Sequence, residues 1–233
     1  MLANIKLVIS NARKTCREII VDILNRSALP RLLMNSRTVV KKYFDYKYNR
    51  EDPYKISAAQ GDTRYTDMLD LLRNNKYSRV LDVGCGEGIF SRMLLEISDS
   101  VEGIDISESA IMRAREKYRG YPSLSFAVHD IVIMDSDTRY DLIVCAEVLY
   151  YLNLGQLLKV ISNIIGWLAP GGYLLVGNIN KIRSKSGFFR SYISSQEISE
   201  YVKKTGNLLI VGEMDRGGDI LKLFRKHSIT NSN

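Results

Sequence analysis

The sequence predicts an α/β fold: a single doubly wound, mainly parallel seven-stranded sheet with a C-terminal antiparallel hairpin, preceded by a helical N-terminal arm. Three observations predict it. Val80-Leu81-Asp82-Val83 is a short apolar run that passes directly into Gly84-Cys85-Gly86-Glu87-Gly88 and then into a helical pattern. Strand-like and helix-like segments alternate from there to about residue 178. The end of the chain changes character, because residues 208–213 and 220–224 flank Asp215-Arg216-Gly217-Gly218-Asp219, a hairpin signal.

The elements follow in order. Ile5, Val8, Ile9, Ala12, Ile19, Ile20 and Ile23 recur at near-helical spacing, with Lys6, Arg13, Lys14 and Arg17 mostly on other faces. This predicts a basic amphipathic helix within an arm over 1–50, ahead of a domain over 51–233. Residues 1–30 suit contact with a membrane surface or a partner protein, or packing on the body with a solvated basic side. An aromatic-dense stretch follows, Tyr43-Phe44-Asp45-Tyr46-Lys47-Tyr48, then Asp52-Pro53-Tyr54. Tyr65, Met68, Leu69 and Leu72 fit one helix face. Strands are expected near 79–83, 101–105, 124–128, 140–145 and 172–178, and helices near 88–97, 108–118, 154–168 and 195–205. Ser107 is a suitable N-cap, Ser194-Ser195-Gln196-Glu197 offers a capping box, and Ala169-Pro170-Gly171-Gly172 is a stop and turn before the fifth strand.

Composition bounds the function. The chain of 233 residues is 45% hydrophobic, enough for one good core. Its three cysteines, Cys16, Cys85 and Cys145, lack CxxC spacing, which argues against a disulfide scaffold or zinc site and for a reducing, cytoplasmic setting. No metal is expected. No apolar run reaches the ~18 residues of a bilayer span, and the charges of the first 17 residues interrupt any signal-peptide core. The net charge of +7 is uneven: residues 1–50 hold 11 Lys/Arg against 3 Asp/Glu. The rest is close to neutral, which argues against a nucleic-acid partner at the site itself.

Two ligand classes compete for the glycine turn. A dinucleotide site wants G-x-G-x-x-G, but the third glycine position is Ile89 and the run here is G-x-G-x-G. The turn is preceded by an acid, Asp82, and is followed in order by Asp105, Asp130 and Leu-Ala-Pro-Gly-Gly. Those features resemble the class I S-adenosylmethionine-dependent methyltransferases, whose fold is Rossmann-like. A narrower resemblance lies in Tyr140-Asp141-Leu142-Ile143-Val144-Cys145-Ala146-Glu147-Val148-Leu149-Tyr150-Tyr151-Leu152, which is similar to the fourth-strand motif of the NodS-like methyltransferases. Asp52-Pro53-Tyr54 resembles that family's Asp-Pro-Trp segment. The likeness covers roughly 43–178 and departs at Tyr54 and at Gly61-Asp62, where the family tends to have an indole and Tyr-Glu.

The resemblance implies S-adenosylmethionine as cofactor. Asp82 would face its ammonium group, Gly84, Cys85 and Gly86 would bring backbone against it, and Asp105 would accept both ribose hydroxyls. By the same resemblance Asp130 takes the adenine amino group, Ile106 or Ile131 packs on the ring, and Ala146 lies on the cofactor side. Plain alternatives are a helix-capping acid for Asp105, a turn residue for Asp130, and small buried fillers for Cys85 and Cys145.

Glu147 falls just beyond the fourth strand, at the face where open α/β sheets bind ligands. It is the candidate for orienting or deprotonating an amine, with Tyr150 and Tyr151 lining the acceptor cavity; a first-turn helix acid is the alternative. Lys181, Arg183, Lys185 and Arg190 supply a cationic loop for an anionic substrate, or a solvated lid. The expected function is methyl transfer to a small molecule or saccharide, on the nitrogen of an amine such as an amino sugar. The rivals are a nucleic-acid or protein methyltransferase using the basic arm, and an NAD(P)-dependent oxidoreductase.

Overall fold

The computed structural model describes residues 36–49, 63–179, 193, 195–205, 207–215 and 219–228. The amphipathic segment of the arm, Asp52-Pro53-Tyr54, Gly61-Asp62, the 181–190 loop, Ser194 of the expected capping box and the tip of the hairpin lie outside the described residues.

Seven strands form one sheet in the order β3-β2-β1-β4-β5-β7-β6. β1 (Tyr77–Val83) pairs in parallel with both β2 (Ser98–Asp105) and β4 (Tyr140–Ala146). β3 (Leu124–Val128) extends the sheet beyond β2, and β5 (Leu168–Ile179) beyond β4. The chain moves outward from β1 to β3 and then returns to β4. The crossover direction therefore reverses between β1 and β4, and a crevice opens at their C-terminal ends. β6 (Leu208–Asp215) and β7 (Asp219–Lys226) form the hairpin, with β7 antiparallel to β5.

Both sheet faces are covered, which is why the central strands are apolar throughout: Leu142, Ile143, Val144 and Cys145 are all fully buried. α2 (Arg64–Leu72), α3 (Ile89–Leu94) and α4 (Glu108–Lys117) pack on one face through Met68, Leu72, Phe90, Leu94 and Ile111. α5 (Leu154–Trp167) and α6 (Ser195–Lys204) cover the other through Leu157, Ile161, Ile164, Ile198 and Val202. α5 starts at a capping box that the sequence reading did not single out. Asn153 accepts from the Gln156 N–H at 2.9 Å, and the Gln156 side chain accepts from the Asn153 N–H at 3.2 Å. Ser107 caps α4 as expected, accepting from Ala110.

Three expectations need adjustment. The fifth strand begins at Leu168 rather than 172. Its register against β4 jumps between Tyr140↔Leu168 and Leu142↔Tyr173, so Pro170, Gly171 and Gly172 are absorbed as an irregularity in the ladder rather than a free turn. The third helix is shorter than 88–97, because Glu96 and Ile97 turn back on Met93 and Leu94 with tighter, three-residue bonds.

The aromatic stretch at 43–48 is part of a helix, α1 (Arg37–Tyr48). Its apolar contacts are long-range: Val40 packs with Ile106 and Tyr151. Asp45 accepts from the Ser107 hydroxyl at 2.8 Å and the Ser109 N–H at 3.4 Å, placing an acid at the N-terminus of α4. These contacts roof the crevice with α1.

Candidate active site

The crevice holds a cavity of about 480 Å³, within the ~300–1,000 Å³ typical of small-ligand sites. Its floor is the glycine turn after β1. Gly84, Gly86 and Gly88 all have positive φ. At Gly84 (φ +73°) a Cβ would meet Val148 Cγ2 at 2.1 Å, and at Gly86 (φ +53°) it would meet the Tyr48 hydroxyl at 2.6 Å. The turn is bare because both walls press on it as well as because the backbone is left-handed there.

Two carboxylates line the floor. Asp82 is 4% and Asp105 8% exposed. The Ser91 hydroxyl donates to Asp82 Oδ2 at 2.5 Å. Asp105 receives the Gly86 N–H on Oδ2 at 3.0 Å and the Ser107 N–H on Oδ1 at 2.8 Å. It thus ties the glycine turn to the start of α4, as the capping alternative expects. Burial pushes Asp82 up to about 6, with the Asp105 charge adding to the rise. Burial also pushes Asp105 up to about 6, against the lowering effect of its N–H donors.

Neither acid forms an ion pair among the described residues; their described hydrogen-bond donors are neutral. Buried carboxylates without a countercharge favour a cationic ligand and repel a pyrophosphate. A carboxylate offers about four acceptor sites. Asp105 receives backbone N–H groups from Gly86, Ser107 and Ile106, and keeps acceptor capacity for a hydroxyl-bearing ligand. The charge of the floor fits S-adenosylmethionine, with its sulfonium and ammonium, better than the pyrophosphate of a dinucleotide, while a diol-binding acid suits the ribose of either ligand.

The remaining expected residues converge on the same cavity. Ile106, Asp130, Ile131 and Ala146 line it, as does Cys85. Asp130 accepts from the Val132 N–H at 3.0 Å, so it is a turn residue as well as a cavity residue. Cys85 and Cys145 are fillers: Cys145 is fully buried, and burial pushes both thiols up.

Glu147, Tyr150 and Tyr151 line the cavity beyond the end of β4. The Tyr150 hydroxyl donates to Glu147 Oε2 at 2.9 Å and lies 3.4 Å from the Tyr151 hydroxyl. The two tyrosine rings sit 4.4 Å apart, and Phe44 of α1 meets Tyr151 edge-on at 5.1 Å. Glu147 precedes a short 3₁₀ turn, Leu149–Tyr151, rather than starting an α-helix. Its φ is +60°, a strained conformation for a residue with a Cβ. Burial and the neighbouring Tyr151 and Glu147 hold the Tyr150 phenol far above its usual range, so it remains a proton donor.

Arg37, Lys47, Tyr48 and Arg64 also line the cavity. The sequence reading missed them, because they sit in segments noted for apolar and aromatic residues and reach the site only through the docking of α1 and α2. Among the described residues no cluster of His, Cys, Asp and Glu has the makings of a metal site, and no helix is long and apolar enough to cross a membrane.

Comparison with known proteins agrees with this geometry. Residues 36–189 match the family described as Nodulation protein S (NodS). Nodulation protein S of Rhizobium tropici is 33% identical over 183 residues, covering 75% of this chain and 76% of that protein. A ubiquinone biosynthesis O-methyltransferase of Coxiella burnetii (strain Dugway 5J108-111) is 34% identical over 142 residues, 60% of this chain and 56% of that protein. N-methyltransferase NodS from Bradyrhizobium japonicum WM9, solved in complex with S-adenosyl-L-homocysteine, superposes with a TM-score of 0.71 at 26% identity, covering 80% of this chain and 97% of the other. The family match over 36–189 and the relative 33% identical over three quarters of both chains, on a cavity that joins a glycine turn, buried acids and Glu147, Tyr150 and Tyr151, lead to one conclusion: the chain belongs to the NodS family of class I S-adenosylmethionine-dependent methyltransferases.

Proposed function

We propose that the chain methylates the amine nitrogen of a small acceptor, an amino sugar being the best fit. The observation that carries this reading is the pairing, within one cavity, of the Asp105 floor with the Glu147–Tyr150 wall. When bound, S-adenosylmethionine supplies an electrophilic methyl on a sulfonium. The residues of this chain do the rest.

Asp105 would hold the ribose through its remaining acceptor capacity, and Asp82 would face the ammonium group. Asp130, with Ile106 and Ile131 beside it, would take the adenine end, and Cys85 and Ala146 would pack against the cofactor from the cavity wall. Arg64 and Lys47 bring positive charge for carboxylate or other anionic groups. Glu147 receives an ammonium acceptor by charge-assisted hydrogen bonding, orients it, and takes its proton so that the nitrogen lone pair is exposed. Tyr150 steadies the carboxylate from the side by its 2.9 Å bond. Tyr151 and Phe44 give the acceptor an apolar wall with a hydroxyl on it, the kind of surface on which a sugar ring stacks. Methyl transfer needs alignment more than strong base catalysis, which suits a site built from positioning groups.

The chain's likeness to an O-methyltransferase keeps oxygen as a second acceptor class. Release of S-adenosylhomocysteine should be assayed against glucosamine oligomers, their N-acetylated counterparts, polyamines and catechols. Turnover of free-amine sugars and not of acetylated ones supports the reading. Turnover of catechols without any amine would replace it. The basic arm keeps the polymer alternative open to the same assay, with nucleic acid or protein as acceptor.

A further inference from the structure

Ser91 is fully buried in α3, whose neighbours Phe90 and Leu94 pack into the apolar layer on that face of the sheet. A hydroxyl in such a place is costly unless it is hydrogen-bonded. A helical serine commonly settles this locally, on the carbonyl four residues back. Ser91 instead donates across the glycine turn to Asp82 Oδ2, nine residues away, at 2.5 Å. Its single proton is committed to the acid at the end of β1.

The three strand-end acids of the cavity have different partners. Asp130 has a cation, since Arg37 donates to its Oδ2 at 2.6 Å and to its Oδ1 at 2.7 Å. Asp105 has the backbone N–H groups of Gly86 and Ser107. Asp82 has neither, and among the described residues its only hydrogen-bond donor is the Ser91 hydroxyl. With Oδ2 engaged, Oδ1 keeps its acceptor sites, on a residue that lines the cavity beside Gly84 and Gly86. The other groups close to Asp82 do not favour its charge. Burial pushes it up to about 6 and Asp105 on the neighbouring strand adds to the rise, while the Ser91 bond opposes it. The Cys85 and Cys145 thiols beside it are held protonated by burial. The cations Lys47 and Arg64 line the same cavity from α1 and α2.

We propose that Ser91 is a positioning residue for the cofactor's amino group: its hydroxyl fixes the orientation of the Asp82 carboxylate and leaves Oδ1 to meet the ammonium of the bound amino-acid end. A donor to a carboxylate also favours the ionised form, which is the form an ammonium needs. The proposal rests on the reading of the cavity as an S-adenosylmethionine site.

The test is calorimetric titration of the full chain, wild type, Ser91→Ala and Ser91→Thr, across the range of about pH 5 to 8 in which the floor acids titrate. Two ligands are compared. S-adenosylhomocysteine carries the ammonium; 5′-methylthioadenosine keeps the nucleoside and the sulfur but has no amino-acid end. Ser91→Ala is expected to weaken S-adenosylhomocysteine about tenfold at neutral pH, as for loss of a buried hydrogen bond to a charged group. The pH at which affinity begins to fall should move upward by about one unit in the same variant. Binding of 5′-methylthioadenosine should change little, and Ser91→Thr, which keeps the hydroxyl, should restore most of the loss. Melting without ligand checks folding, and Ser91→Cys, of similar shape but a weak donor, stands in for Ser91→Ala if that variant does not fold. Equal loss for both ligands would show a bond that merely braces the turn and overturns the proposal. Unchanged S-adenosylhomocysteine affinity across the pH range in Ser91→Ala overturns it too, and both results leave the cofactor reading intact. Failure of the wild type to bind S-adenosylhomocysteine defeats the cofactor reading itself, and this proposal with it.

Discussion

Tyr150 and Glu147 lie three residues apart and share a 2.9 Å hydrogen bond, and Glu147 adopts φ +60°. The strain sits at the C-terminal edge of β4, beside the glycine turn. A residue with a Cβ in the left-handed region costs about 1 kcal/mol. Glu147→Gly is therefore expected to keep or raise stability, by up to ~1 kcal/mol in urea denaturation, while turnover collapses. Glu147→Gln should leave stability nearly unchanged and lower kcat by about 10²-fold or more, with the cofactor KM little altered. Full turnover in Glu147→Gln would remove this side chain from the chemistry.

Asp105 should be the strongest single determinant of cofactor affinity. Asp105→Asn loses one acceptor oxygen and the charge but nearly preserves shape. The expected loss is about 2 kcal/mol, roughly 30-fold in S-adenosylhomocysteine affinity by calorimetry. Unaltered affinity would mean that the ribose is held elsewhere.

The two floor carboxylates predict an unusual pH response. Both are raised by burial to about 6, from 3.8 in the unfolded chain. Between about pH 4 and 6 the ligand-free folded state thus holds more protons than the unfolded one, and these groups lower stability as pH rises through that window. Cofactor binding has the opposite sign, because the ionised acids are the better acceptors. S-adenosylhomocysteine affinity should fall as pH drops below about 6, with proton release on binding, readable by calorimetry in buffers of different ionisation enthalpy. A flat affinity between pH 5 and 8 would contradict the assigned roles.

Gly84 is held by Val148 as well as by its own φ. Gly84→Ala should destabilise the protein by roughly 2–4 kcal/mol, combining left-handed strain with the clash of its Cβ 2.1 Å from Val148 Cγ2. Adding Val148→Ala should restore part of that loss, the overlap but not the strain. Denaturation of the single and double variants separates the two terms. Absence of any coupling would show that the wall yields without resistance.

The sequence by itself determined the alternation of strands and helices, the glycine turn, the acids at 82, 105 and 130, and Glu147 beyond β4. These are local: apolar runs, turn residues and caps act within a few positions of one another, so period and spacing expose them. Even the hairpin was legible, since Leu221 and Leu223 alternate into the core that β7 shares with β5. Tertiary structure alone decided what roofs the site and what each acid meets. Arg37 and Asp130 are 93 residues apart, and Asp45 and Ser107 are 62 apart. A polar residue's partner across such a distance leaves no periodic trace, because it depends on how α1 docks and not on any local propensity. For the same reason Val40 and Phe44 read as part of an arm, yet they pack against Ile106 and Tyr151 over the cavity.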